Sequence, residues 1–110
     1  MELSKSDEQI NEIHLEGRRA TVRAACLSCG IPPHMHEAIV RYVVDHEPVG
    51  GFLTAILEND FMEAAKAADH MNINAFRNYA NLFYNHLPYL CYGSPVRVER
   101  WLNRTHLDEK

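Results

Sequence analysis

No stretch of this chain approaches the ~20 consecutive apolar residues that a membrane-crossing helix requires. The run from Gly51 to Leu57 is among its longest apolar segments, so a bilayer-spanning helix is excluded and no membrane partner is expected. The beginning, MELSKSDEQINEIH, is polar and acidic, without the basic start and apolar continuation of an export signal. Cytoplasmic retention is the expectation. Cysteine is scarce: Cys26, Cys29 and Cys91 are three, an odd number that cannot form a fully paired disulfide framework and fits a reducing compartment. An excess of positive charge is missing as well. Eleven Lys and Arg stand against fifteen Asp and Glu, for a formal net charge of -4, which disfavours a domain that binds nucleic acid by neutralising many phosphates.

Nor is there a charged tail, an internal repeat or a low-complexity linker. Residues 1–55 carry eight acidic and five basic groups, residues 56–110 seven and six. What is present is an ordinary globular composition, 46% hydrophobic and 24% charged, on a chain of 110 residues that suits one core rather than two. The expected architecture is all-α: a single domain over 1–110, a compact bundle of about five helices, with residues 1–30 a more loosely attached segment.

The expected helices are set by their breaks. Ser4 or Ser6 can cap the first, and Gln9 stands three residues after Ser6 in a capping-box arrangement. Ile10, Ile13, Gly17, Ala20, Ala24 and Leu27 then recur at three- and four-residue steps, the spacing of one helix face. Gly17 leaves three arrangements open: one helix, two short ones, or a helix followed by an extended Thr21–Ala25 segment. Gly30-Ile31-Pro32-Pro33 ends the region, since neither proline donates a backbone N–H and Pro33 biases Pro32 to extended backbone. Met35, Ala38, Ile39, Tyr42 and Val43 line the next helix, with Glu37 and Arg41 placed to pair along it. Pro48, Gly50 and Gly51 mark a reversal into a short buried helix ending at Leu57. Asp60, with Glu63 three residues on, caps a helix carrying Phe61, Ala64, Ala65, Ala68 and Met71, whose alanines suit close packing within the chain or across a homo-dimer. Ile73, Phe76, Ala80, Phe83 and Leu87 form a long seam ended by Pro88. Ser94-Pro95 starts a last helix with Val98, Trp101 and Leu102 facing inward.

The segments IPPH, PVGGFLTAILENDFMEAAKAAD, the helix end Asn85-His86-Leu87-Pro88 and YGSPVRVERWL together resemble small uncharacterised helical proteins of phage, prophage and bacterial genomes. The resemblance covers residues 31–102. It implies action in a bacterial cytoplasm, as an accessory factor binding a host or phage component, and carries no active-site roles. Cys26 and Cys29 lie outside it.

Two constellations offer chemistry. Cys26 and Cys29, with His34 and His36 close behind, have the two-residue thiol spacing of a zinc site, and Cys91 or a distant histidine can supply a further ligand. Against zinc, two helical residues two apart point about 200° from each other, so His34 and His36 cannot easily ligate together. The alternatives are free core cysteines or a redox pair, the latter lacking the following helix that stabilises a thiolate. A Cys-His nucleophile, Cys91 with His86 or His34, is a third arrangement. His14, His46, His70 and His106 read as surface or helix-end residues. The second constellation is Arg97, Arg100 and Arg104, a basic stripe beside Trp101 with Tyr89 and Tyr92 in the preceding loop. It can meet an acidic protein surface or phosphate, or be a solvated face paired with Glu58, Glu63 or Asp69.

The function expected is therefore that of a non-enzymatic protein-interaction or regulatory accessory protein of phage or mobile-element origin, with Arg97, Arg100, Arg104, Tyr89 and Tyr92 as contact residues and a protein as partner. The alternatives are a zinc-stabilised nucleic-acid-binding module using Cys26, Cys29, His34 and His36, and a small cysteine-dependent enzyme.

Overall fold

The computed structural model of the chain describes residues 5–104, with side chains from residue 11 onward. The described residues are all-α and strand-free, with seven α-helices: α1 (Lys5–Ser28), α2 (His36–Asp45), α3 (Gly51–Leu57), α4 (Phe61–Ala67), α5 (His70–Ile73), α6 (Phe76–His86) and α7 (Pro95–Leu102). Short 3-10 turns stand at Pro33–Met35 and Tyr89–Cys91. The helix count exceeds the expected five, in part because the expected 60–71 helix is broken at Ala68 into α4 and α5. None of the described helices is long and apolar enough to cross a membrane.

α1 settles the first open question, running unbroken through Gly17. The face expected to be buried is instead turned to solvent. Ile13 is 72% and Leu27 74% exposed, and Gly17, Ala20 and Ala24 are exposed with them. Val22, Ala25 and Cys26 enter the core, flanked by Leu15 and Cys29. Two arginines fix this orientation. Arg19 donates to both carboxylate oxygens of Asp45 at 2.7 and 3.1 Å, and Arg23 to both of Glu37 at 2.8 and 3.0 Å, so α1 is clamped along α2 by two forked pairs. Glu37 thus pairs across helices, while its expected partner Arg41 lies 3.3 Å from Glu47. The cap expected at Ser4 falls outside the described residues, and Ser6 lies within the helix.

Gly30 adopts φ +74, a left-handed turn open to glycine, and its carbonyl accepts from the Asn78 side chain at 3.1 Å. After the prolines α2 buries Ile39, Val40, Tyr42, Val43 and Val44, enclosed nearly all round as the central helix. It closes at His46, φ 58. α3 follows the glycine reversal as expected, with Phe52, Leu53, Ala55 and Leu57 buried.

Asp60 caps α4 by accepting from the Glu63 backbone N–H. The expected helix over 60–71 breaks at Ala68, whose backbone is extended. Asp69 starts the next helix by accepting from the Asn72 N–H at 2.7 Å. In α6 the most enclosed side chains are Tyr79 and Leu82, with the Tyr79 hydroxyl donating to buried Asn72 at 2.7 Å. The expected seam is thereby split. Phe83 and Leu87 are buried, Phe76 is half-buried, and Ala80 and Ile73 are exposed.

Ser94 caps α7 and Pro95 opens it. Val98 and Trp101 are buried as expected. Trp101 ties the last helix to the central one: its Nε1 donates to the Tyr42 carbonyl at 2.9 Å, while the Trp101 carbonyl accepts from His46 Nδ1 at 2.8 Å. The Tyr42 hydroxyl donates to the Cys91 carbonyl at 2.6 Å. No buried side-chain polar atom among the described residues lacks a partner, as a single ordered packing requires.

Candidate interaction groove

Splitting the α6 seam leaves apolar surface unpaired. Phe76, Ala80 and Phe83 floor an open groove of about 380 Å³. One wall is the α3–α4 corner, from Ile56 through Asp60 to Phe61 and Ala64. Asn59, φ 64, turns the chain there, and the Asp60 cap aims α4 so that Phe61 meets Phe76 edge-on, centroids 5.9 Å apart. The opposite wall is Tyr92 and Gly93, with Tyr92 against Phe83 at 5.5 Å. Beneath these rings, Phe52 touches both Phe76 and Tyr79, at 6.0 and 5.4 Å, and Tyr79 touches Phe83 at 6.1 Å. The floor is therefore a continuous aromatic layer backed by the core. Such ring pairs hold shape as well as area. The rim remains open to solvent: Phe61 is 66% and Tyr84 82% exposed.

The wall at Tyr92 is held by a residue expected to bind. Arg97 donates to the carbonyls of Tyr89 and Tyr92 at 3.2 and 3.3 Å, and its guanidinium lies 5.9 Å from the Tyr89 ring centroid. The Gly93 N–H donates to the Leu57 carbonyl at 2.7 Å, fastening the loop to the end of α3. Of the five expected contact residues, Tyr92 lines the groove, while Tyr89 and Arg97 brace its loop. Arg104 folds over Trp101, 5.0 Å from the ring, and Arg100 is exposed. The stripe is thus divided: Arg97 and Arg104 are engaged within the chain, and Arg100 faces solvent. Two of the three carboxylates expected to neutralise it are engaged elsewhere: Glu63 meets Lys66 at 3.2 Å and Asp69 meets His34 at 2.8 Å.

The proposed metal ligands are not assembled. No group of three or more His, Cys, Asp or Glu among the described residues is placed to hold a metal ion. Cys26 is enclosed in the core and Cys29 half-buried. His36 Nε2 donates to the Ile31 carbonyl at 2.7 Å, and His34 is turned to Asp69. Burial pushes the Cys26 thiol up to about 12, with the neighbouring Cys29 adding to the shift. Cys91 is likewise pushed up to about 12 by burial. Both thiols are protonated near neutral pH, so neither stands as a free thiolate nucleophile. Of the four histidines read as surface or helix-end groups, His14 and His70 are exposed. His46 closes α2 but is buried against Trp101 at 4.8 Å, and His106 lies outside the described residues.

The groove was not legible as a unit because three separated segments contribute to it. The available signal was the unused half of the α6 stripe, Phe76 and Ala80, together with the aromatic loop at 89–92. Comparison with protein-family models, with curated protein sequences and with solved structures returns no match for this chain.

Proposed function

We propose that this chain is a non-enzymatic protein-interaction module, an accessory factor that receives an apolar anchor of a partner protein in the groove between α4, α6 and the 92–93 turn. The carrying observation is the open aromatic floor of Phe76 and Phe83 beneath a rim where Phe61 and Tyr84 remain largely exposed. Aromatic residues set in a concave, mostly apolar surface are the usual anchors of protein recognition. Asp60 stands on the wall, favouring a partner segment with a basic residue beside its apolar anchor. The resemblance to phage and prophage proteins supports a partner inside a bacterial cell and an origin on a mobile element.

The test uses affinity capture of wild-type chain and two variants from bacterial lysate, with captured proteins quantified against one another. Ala80→Trp fills the groove from an exposed helix position and is expected to lower recovery of the specific partner by roughly tenfold or more, with an unchanged circular-dichroism spectrum. Arg100→Glu is expected to leave recovery within about twofold, since rim charges contribute little affinity. The opposite pattern, recovery lost with Arg100→Glu and kept with Ala80→Trp, would transfer the recognition role to the basic stripe.

A further inference from the structure

The outward face of α1 carries a second surface, none of whose residues lines the groove. Ile13, Gly17, Ala20, Ala24 and Leu27 are separated by four, three, four and three residues, and all five are exposed. That is the spacing of a two-helix seam, in which two rows of apolar residues repeat every seven positions. The interior of the domain makes no use of it, because α1 buries the opposite face, Val22, Ala25 and Cys26. Gly17 has nothing within 4 Å of where a Cβ would stand, so backbone can approach there closely. Beside the seam lies a shallow depression of about 590 Å³ that shares Ile13 and Gly17 and continues over Val43, Val44 and Pro88.

The geometry points to a second copy of this chain as the occupant, paired antiparallel through α1 about a two-fold axis between residues 18 and 19. In that register the two smallest residues of the seam meet beside the axis, where the backbones come closest. Gly17 packs on Ala20 of the other copy, and Ile13 on Ala24. The flanking positions are complementary as well. Glu16 faces Arg23 of the other copy on one side of the seam, and His14 faces Thr21 on the other. Glu16 and Arg23 already lie 3.3 Å apart within one chain, so the pairing across the axis extends an existing charge network around Arg19, Arg23, Glu16 and Glu37. A parallel arrangement loses these features: it sets Ile13 on Ile13 and Gly17 on Gly17, brings Glu16 beside Thr21, and aligns the two helix dipoles unfavourably. The surface is self-complementary only in the antiparallel sense, as a two-fold interface must be.

Two heptads make a short seam, so association is expected at micromolar concentrations or above. Sedimentation equilibrium on the full chain from about 5 μM to about 500 μM covers that range. The expected result is a monomer-dimer equilibrium whose dissociation constant rises roughly tenfold or more in Ala20→Arg, with helicity and thermal midpoint at low concentration retained because residue 20 is exposed. Orientation is read from spin labels in a Cys29→Ser background. A label at Thr21→Cys sits near its counterpart, whereas one at Ser28→Cys is displaced along the axis by about 28 Å, from 1.5 Å per residue. A chain that is monomeric throughout overturns the proposal, as does a dimer unaffected by Ala20→Arg or one in which both labels lie close to their counterparts. Any of these leaves the groove reading standing, since Ala80→Trp acts on another surface.

Discussion

Replacing Trp101 by Phe removes one hydrogen-bond donor from the joint between the first and last parts of the core. The left-handed turn at His46 sends its backbone N–H to the Arg41 carbonyl, and the Tyr42 carbonyl receives the indole Nε1 instead. Phenylalanine keeps a ring beside His46 but offers no N–H, so an enclosed carbonyl loses its partner, at a cost of about 1–3 kcal/mol. The smaller ring also leaves part of the indole's space empty, adding about 1 kcal/mol. A loss of about 2–4 kcal/mol is a large share of the roughly 5–15 kcal/mol available to a domain, and lowers the thermal midpoint by roughly 10–20 °C. Trp101 is the chain's one tryptophan, so tryptophan fluorescence cannot follow the variant; urea and thermal unfolding by far-ultraviolet circular dichroism can. Arg104→Gln, which removes only the cation over the indole, is the control and should cost less than about 1 kcal/mol. A Trp101→Phe chain within about 0.5 kcal/mol of wild type would refute the role assigned to the indole N–H.

Gly17→Ala should stabilise the chain by about 0.5–1 kcal/mol, because the position is helical, exposed and open around the missing Cβ; a lower urea midpoint would contradict the continuous helix. Native chain treated with an aromatic disulfide reagent should react rapidly at one thiol, half-buried Cys29, and at all three after denaturation, with fast labelling of Cys26 or Cys91 as the contrary outcome. Their raised thiol values mean that the folded state keeps protons the unfolded chain releases, so stability is full below about pH 8.5 and falls as pH rises toward 12. Burial raises the hydroxyls of Tyr42 and Tyr79 in the same direction. On the acid side, Arg23 holds Glu37 low and, after Arg19, does the same for Glu16, so the unfolded chain binds protons first and stability falls as pH drops through the depressed folded values. Arg23→Met should make the decline in urea midpoint between about pH 6 and about pH 3 shallower; an unchanged slope would count against that assignment.

The punctuation of the fold was legible in single residues. Asp60, Ser94, Pro95 and the Pro32-Pro33 and Gly50-Gly51 breaks act locally, through a cap or a restricted backbone, and each stands where its chemistry places it. Which face of a helix turns inward was harder to read. On α1 the evenly spaced Ile13 to Leu27 pattern outweighed Val22 and Cys26 on paper. Yet glycine and alanine contribute little apolar area, and the forks from Arg19 and Arg23 to α2 depend on residues 14 to 26 positions away. The split at Ala68 was masked by a run of helix-favouring alanines; the deciding residue, Asp69, can cap only because the chain turns there. Tyr79 falls outside the expected α6 seam, and its burial depends on Asn72, seven residues earlier, satisfying the hydroxyl inside the core. The basic stripe was legible as a spacing, but the separate engagements of Arg97 and Arg104 were not, since the carbonyls that Arg97 serves belong to a loop whose path no periodicity encodes.

The exchange of donors between α2 and α7 bears on how the molecule is made. The Tyr42 hydroxyl and carbonyl and the His46 ring find partners at Cys91 and Trp101, so a nascent chain still missing α7 leaves the middle of its core open. Completion must wait until residue 101 has left the ribosome, and a product stopped short of it would present an unfinished centre to proteases rather than a smaller version of the same domain.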